Sequence, residues 1–258
     1  TRVYEKEVFK MKSKKITNLL GSVLIGLLPS ISSAYDKNDN FVIKDNLEKI
    51  IDSSVQIQTY GIVEKQNEMD FYFFKVPNGK SKIPVRTLGS GTLLYDKEGD
   101  YQYVLTCAHI LPDNSKDNSL YVNGIEMYVA KIDIENDLML LFPNQHIKDA
   151  KPFLGKFAES SEIGDYVIGV GYIGIGLGKN LWHGHVTNPD LGGSLMAEGM
   201  MYPGQSGGGV YSFDMGEPLL VGLNEFKIIG NDGINGLVSP EKIKDFLINT
   251  PLANDYYK

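Results

Sequence analysis

The sequence predicts a β-rich globular fold, and three observations carry that prediction. Apolar and aromatic runs of strand length recur, as in Tyr101-Gln102-Tyr103-Val104-Leu105-Thr106 and Leu138-Met139-Leu140-Leu141. Glycine, asparagine and aspartate punctuate these runs, with 28 glycines in 258 residues, as turns require. Apolar residues make up 42% of the chain and charged residues 22%, enough to bury a full core. Periodicity goes no further than many short strands joined by turns. A net charge of −7 and a pI near 5.2 oppose an extended nucleic-acid surface. Heptads, internal repeats and low-complexity tracts are absent from the sequence.

At the N-terminus, Lys12, Lys14 and Lys15 follow Met11 as a basic segment, residues 19–28 are mostly apolar, and Ser32-Ser33-Ala34 is a small-residue cleavage site. Residues 1–34 therefore read as an N-terminal extension and a secretory signal peptide starting at Met11, which predicts an exported protein, periplasmic or extracellular. The apolar stretch is shorter than the ~20 residues of a spanning helix, so no stable membrane insertion is expected after cleavage. Residues 45–51 suit one helix before the first strand. Residues 59–87 alternate strand-like runs with the polar loop Pro77-Asn78-Gly79-Lys80, and Gly89-Ser90-Gly91-Thr92-Leu93-Leu94-Tyr95 begins another strand.

Further along, Gly169, Gly171 and Gly174 spell a literal G-x-G-x-x-G. A dinucleotide fingerprint opens a helix, whereas more glycine and strand-like sequence follows here, so no nucleotide or other cofactor is expected. His183 and His185 fall on one face of a strand, but two ligands without a third are no metal site. His146, beside Asn144 and Gln145, reads as a turn residue. Cys107 is the only cysteine, so no intramolecular disulfide forms, and it reads as a packed thiol. Near the end, Ser239 can cap a helix with Pro240 at its first position and Ile243, Phe246 and Leu247 on its apolar face.

The most constraining feature is Ser206, within Gly204-Gln205-Ser206-Gly207-Gly208. Flanking glycines suit an exposed nucleophile, and the pattern fits the G-x-S-x-G elbow of α/β-hydrolases, in which the histidine follows the serine. All four histidines of this chain, at 109, 146, 183 and 185, precede Ser206. The elbow reading, and an esterase or lipase with it, lacks its base; the chain order His, Asp, Ser remains open. His109 follows the strand-like run 101–106 as a candidate base. Asp137 lies in an acidic turn that runs into a second apolar strand, as a candidate orienter.

Thr106-Cys107-Ala108-His109, then Asn136-Asp137-Leu138-Met139-Leu140-Leu141, then Pro203-Gly204-Gln205-Ser206-Gly207-Gly208 resemble, in order, the three signature blocks of trypsin-like serine proteases. The resemblance covers roughly residues 85 to 245 and is nearest to the bacterial HtrA (Deg) branch. It implies an all-β fold of two antiparallel six-stranded β-barrels with a short C-terminal helix. The implied organisation is a single peptidase domain over residues 35–258, with an N-barrel at about 55–150, a C-barrel at about 160–238 and the helix at about 240–248. His109, Asp137 and Ser206 become base, orienter and nucleophile, and the amides of Gly204 and Ser206 the expected oxyanion hole. Met200 and Met201 fall at the base and wall of the specificity pocket, favouring an apolar P1 side chain, although core packing is their other reading. Gly222, Leu223 and Asn224 fall on the strand that would pair with an extended peptide.

Two departures from the resemblance stand out. Gln205 replaces an aspartate that, in the chymotrypsin branch, receives a freed N-terminal ammonium, so activation of that kind is not expected. The sequence also leaves no room for a PDZ domain after the helix, so PDZ-dependent regulation is not implied and the oligomeric state is left open. The expected activity is that of a serine endopeptidase acting without cofactor or metal on unfolded or extended protein segments. The alternative is a catalytically silent homologue that keeps the cleft as a peptide- or protein-binding module.

Overall fold

The computed structural model describes residues 39–71, 74–112, 115–174, 178–191, 194–214, 217–227 and 233–257. The segment read as a signal peptide lies outside them. The chain divides into two units, Thr1–Glu48 and Lys49–Lys258. Described residues of the first belong to helix α1 (Asp39–Ser53), which starts earlier than the 45–51 helix expected from the sequence.

In the second unit, β1 (Ser54–Phe71), β2 (Phe74–Asp96), β3 (Tyr101–Thr106), β4 (Ser115–Val122), β5 (Ile125–Asp133) and β6 (Leu138–Pro143) close into an antiparallel barrel in the order β1-β2-β3-β6-β5-β4. Strand alternation fills its interior with Val55, Ile57, Leu93, Val104, Met139 and Leu141. Asn123 and Gly124, both at positive φ (49° and 83°), make the tight turn from β4 to β5, the geometry that an Asn-Gly pair favours. The β1–β2 hairpin runs from Ser54↔Thr92 to Phe71↔Phe74, and β2 passes straight through the expected loop at 77–80. Pro77 is tolerated there because the pairing of β1 with β4 ends at Val63↔Ser115, which leaves the far hairpin as edge strand.

A second barrel contains β8 (Tyr166–Tyr172), β9 (Lys179–Leu191), β10 (Ser194–Glu198), β11 (Gly209–Asp214), β12 (Glu217–Lys227) and β13 (Ile234–Val238). The order is β11-β8-β9-β10-β13-β12, closed by β11–β12 pairing, with the two-residue β7 (Lys156–Phe157) added parallel to β12. Val167, Trp182, Leu195, Val210, Val221 and Leu237 pack inside. Closure of both barrels removes exposed sheet edges over most of the fold. Two antiparallel six-stranded barrels are what the resemblance implied. The C-terminal helix also forms: α2 (Pro240–Leu247) is capped by Ser239, whose side chain accepts the Lys242 amide, and it buries Ile243, Phe246 and Leu247; the short α3 (Ala253–Tyr256) follows.

Gly169 and Gly171 lie on β8, which pairs antiparallel with both β9 and β11. The glycine is needed for packing: a Cβ at Gly169 would lie 2.2 Å from the indole of Trp182.

Within the second unit, Lys179 of β9 binds the last turn of α1 at Ile51. Its ammonium donates to the carbonyl of Ile51 in the last turn of the helix and lies 5.7 Å from the centre of the Tyr172 ring. Burial pushes its pKa down to about 8, against the opposing pull of Asp52. The unfolded chain keeps the lysine value of 10.5, so between these limits the unfolded state binds the extra proton and stability rises with pH. Unfolding measured from pH 7 to 10 should therefore show wild type gaining on the order of 1–2 kcal/mol relative to Lys179→Met. A difference that stays flat with pH would contradict the assignment.

Candidate catalytic site

β3 ends at Thr106, and one 3-10 turn, Ala108–Ile110, then carries His109 away from the barrel. The turn is anchored by its last carbonyl: Ile110 O accepts Thr59 Oγ1 at 2.9 Å and also the Thr87 hydroxyl. Asp137 closes the turn between β5 and β6. Asp133 shapes that turn, accepting the Asn136 amide at 3.0 Å and the Asn136 side chain at 2.8 Å. These bonds hold its carboxyl below the ordinary range.

Asp137 itself sits at φ 55°, a left-handed conformation that costs a non-glycine residue on the order of 1 kcal/mol. In that conformation it grips the His109 turn at three points. Its carbonyl accepts the Ala108 amide at 3.2 Å, Oδ1 accepts the His109 amide at 2.8 Å, and Oδ2 lies 2.6 Å from His109 Nδ1. An imidazole that donates through Nδ1 to a carboxylate keeps its lone pair on Nε2, the tautomer a general base requires.

The Ser206 loop belongs to the second barrel and enters at two glycines with positive φ, Gly204 (97°) and Gly207 (82°). A Cβ at Gly204 would lie 2.8 Å from Gly174 N and Tyr172 O, so a side chain there would collide with backbone. Gln205 is fully buried; its side-chain oxygen accepts the Tyr202 amide at 2.6 Å and its nitrogen donates to Asn180 O at 3.4 Å. The amides of Gln205, Gly207 and Gly208 donate to Tyr202 O, Asn224 O and Gln205 O. Among the described residues no acceptor takes the amides of Gly204 and Ser206.

Two residues join this loop to the first barrel. Buried Ser90 donates through Oγ to Gly204 O and accepts the Tyr172 amide, both at 2.7 Å; its amide donates to Ser206 O at 2.8 Å, and its carbonyl accepts Thr106 Oγ1 at 2.7 Å. Asn224 O accepts both Gly207 N at 2.7 Å and Cys107 Sγ at 3.3 Å, while the Asn224 side chain is held by Trp182 Nε1 and Val170 O. Ser206 is thereby fixed beside the segment that carries His109.

Burial, followed by the carboxylates of Asp137 and Glu225, pushes the Cys107 thiol well up. Sulfur, imidazole and carboxylate atoms of Cys107, His109 and Asp137 lie within 4.8 Å of one another. His109 Nδ1 is already engaged by Asp137, so Cys107 reads as a packed thiol behind the His–Asp pair.

The residues expected to meet substrate are placed differently from one another. Met200 is 49% exposed, with the Tyr202 hydroxyl 2.7 Å from its sulfur, whereas Met201 is buried in the second core. Gly222, Leu223 and Asn224 do not offer the peptide edge expected of them. Gly222 and Leu223 pair with Val210 and Gly209 on β11, and Leu223 and Asn224 pair with Val238 and Leu237 on β13. Asn224 also exchanges backbone bonds with Gly207 and Gly208. The open edge begins one residue later, because the chain before Gly209 leaves the sheet to form the Ser206 loop. Among the described residues no strand pairs with that side of residues 225–227.

Sequence reasoning missed Ser90 and Glu225 as site residues, and it expected Asn224 as a peptide-pairing residue rather than as a bridge to Cys107; for Ser90 the signal was its flanking glycines, which let two chains approach. His183 and His185 remain away from this cluster, exposed on β9 with His185 paired to Glu198 at 2.7 Å.

Neither a family model nor a curated protein matches this chain. Among solved structures, it is similar to the crystal structure of the Rv3671c protease from M. tuberculosis in its active form, with a TM-score of 0.55 and 18% sequence identity, over 79% of this chain and 84% of the other. The fold is the trypsin-like double β-barrel. No helix among the described residues is long and apolar enough to cross a membrane.

Ser90→Ala leaves the Tyr172 amide and the Gly204 carbonyl buried without their shared partner. Urea unfolding should show a loss of about 2 kcal/mol, and an unchanged midpoint would remove Ser90 from the role assigned to it.

Proposed function

We propose that this protein is an exported serine endopeptidase that cleaves peptide bonds through an acyl-enzyme. The observation that carries the reading is the threefold grip of Asp137, at a strained φ, on the turn and ring of His109. Asp100 and Asn123 share a positive φ at turns, but only at Asp137 does that conformation also aim a carboxylate at an imidazole, which points to function.

In this reading Ser206 Oγ attacks the scissile carbonyl as His109 Nε2 takes its proton, and Asp137 steadies the resulting imidazolium. The carbonyl oxygen becomes an oxyanion held by the unused amides of Gly204 and Ser206. His109 then gives the proton to the leaving amine, and water repeats the sequence in reverse to release the acid. No cofactor enters these steps. An extended segment of an unfolded or flexible protein pairs with β12 at residues 225–227. Met200, exposed and without charge, suits an apolar P1 side chain, whereas Met201 belongs to the core behind it.

The order and wording of the three sequence blocks favour the HtrA branch. The neutral Gln205 amide, bonded at both ends within the protein, favours competence without a freed N-terminal ammonium. Residues 1–34 support export to the periplasm or beyond, with residues 35–258 as the peptidase domain.

A fluorophosphonate probe tests the assignment. Wild type should be labelled at Ser206, Ser206→Ala should not be labelled, and His109→Ala and Asp137→Ala should react about 10^4-fold more slowly. Folded wild-type protein that resists the probe near neutral pH would replace the enzyme with a peptide-binding homologue.

A further inference from the structure

A second carboxylate, that of Glu225, interacts electrostatically with the His109–Asp137 pair. The register of β12 against β13 shifts between Asn224 and Phe226, leaving Glu225 as the extra residue of a bulge. Bulges re-aim the side chain they carry. The residue before it, Asn224, touches the Cys107 thiol two positions ahead of His109. Glu225 Oε2 accepts Ser194 Oγ from β10 at 3.1 Å, and the carboxylate interacts electrostatically with Asp137, His109 and Cys107. Lys242 of α2 is the one further charged group that faces it among the described residues. Burial, and then the charge of Asp137, push its pKa up.

Lys242 offsets part of the cost of keeping two acids together, and the other nearby group able to do so, by gaining positive charge during turnover, is His109. Resting on the reading of His109 as the general base, we propose that Glu225 is a positioning residue whose negative charge favours the imidazolium form of His109. Asp137 orients the ring through Nδ1, whereas Glu225 acts through space. As the pH falls, Glu225 and His109 gain protons in coupled steps, so the acid limb of activity belongs to both groups.

Glu225→Gln keeps the size of the side chain and removes its charge. In the full chain, the His109 imidazole is followed by NMR titration, with its resonance assigned through His109→Gln. Its apparent pKa should fall by about half a unit or more in Glu225→Gln, and the acid limb of fluorophosphonate labelling should move down with it. Glu225→Asp, which restores the charge, should return both toward wild type. A His109 titration unchanged in folded Glu225→Gln overturns the proposal. Wild type needs no variant to be informative: the His109 signal should show a second acidic step shared with the Glu225 carboxyl carbon, and a single uncoupled step overturns it equally. If wild type never labels, the endopeptidase reading fails, while the two titrations still decide the role of Glu225.

Discussion

Everything at the site depends on backbone stitching between the barrels. Ser206 lies on the second barrel and His109 on the first, so their separation is set by contacts across the seam. Ser90 commits its amide and hydroxyl to that seam while its carbonyl binds Thr106 within the first barrel, and Asn224 O gathers Gly207 N and Cys107 Sγ from opposite sides of the seam. Hydrogen bonds between buried backbone groups fix position within tenths of an ångström, a tolerance that side-chain packing alone does not impose. The glycines around Ser206 make this approach possible: a Cβ at Gly207 would fall 2.1 Å from Thr106 Oγ1 and 2.4 Å from Ser90 O.

The sequence made the fold class legible because strand-length apolar runs and turn residues alternate throughout, and three ordered blocks then specified the double barrel. His109, Asp137 and Ser206 stood out as candidates for the same reason, since each sits at the end of a strand or in a glycine turn, and the structure joins the first two. The peptide-pairing residues were less so. Nothing in Gly222-Leu223-Asn224-Glu225 shows where the partner strand β11 begins, and that starting point decides which residues keep a free edge. Ser90 was hidden for a related reason: its partners Tyr172, Gly204 and Ser206 lie far along the chain, and no local pattern encodes them. The long β1–β2 hairpin differs from the short strands expected at 59–87 because pairing between its own two arms outlasts the reach of β4.

The charges of the site follow from burial. Asp137 has its carboxylate occupied by His109, Glu225 stands near it at the bulge of β12, and Cys107 is held as a neutral thiol behind them. At Gln205 the protein uses an amide in place of a charge, so the loop bearing Ser206 is organised by neutral hydrogen bonds alone.

The most direct measurement is a crystal structure of the protein with a peptidyl boronate. The account predicts a tetrahedral adduct bonded to Ser206 Oγ, one boronate oxygen within hydrogen-bond distance of the Gly204 and Ser206 amides, and His109 Nε2 within reach of the adduct. A boronate bound elsewhere, or an imidazole at position 109 held away from Ser206 in a fully occupied complex, would contradict it.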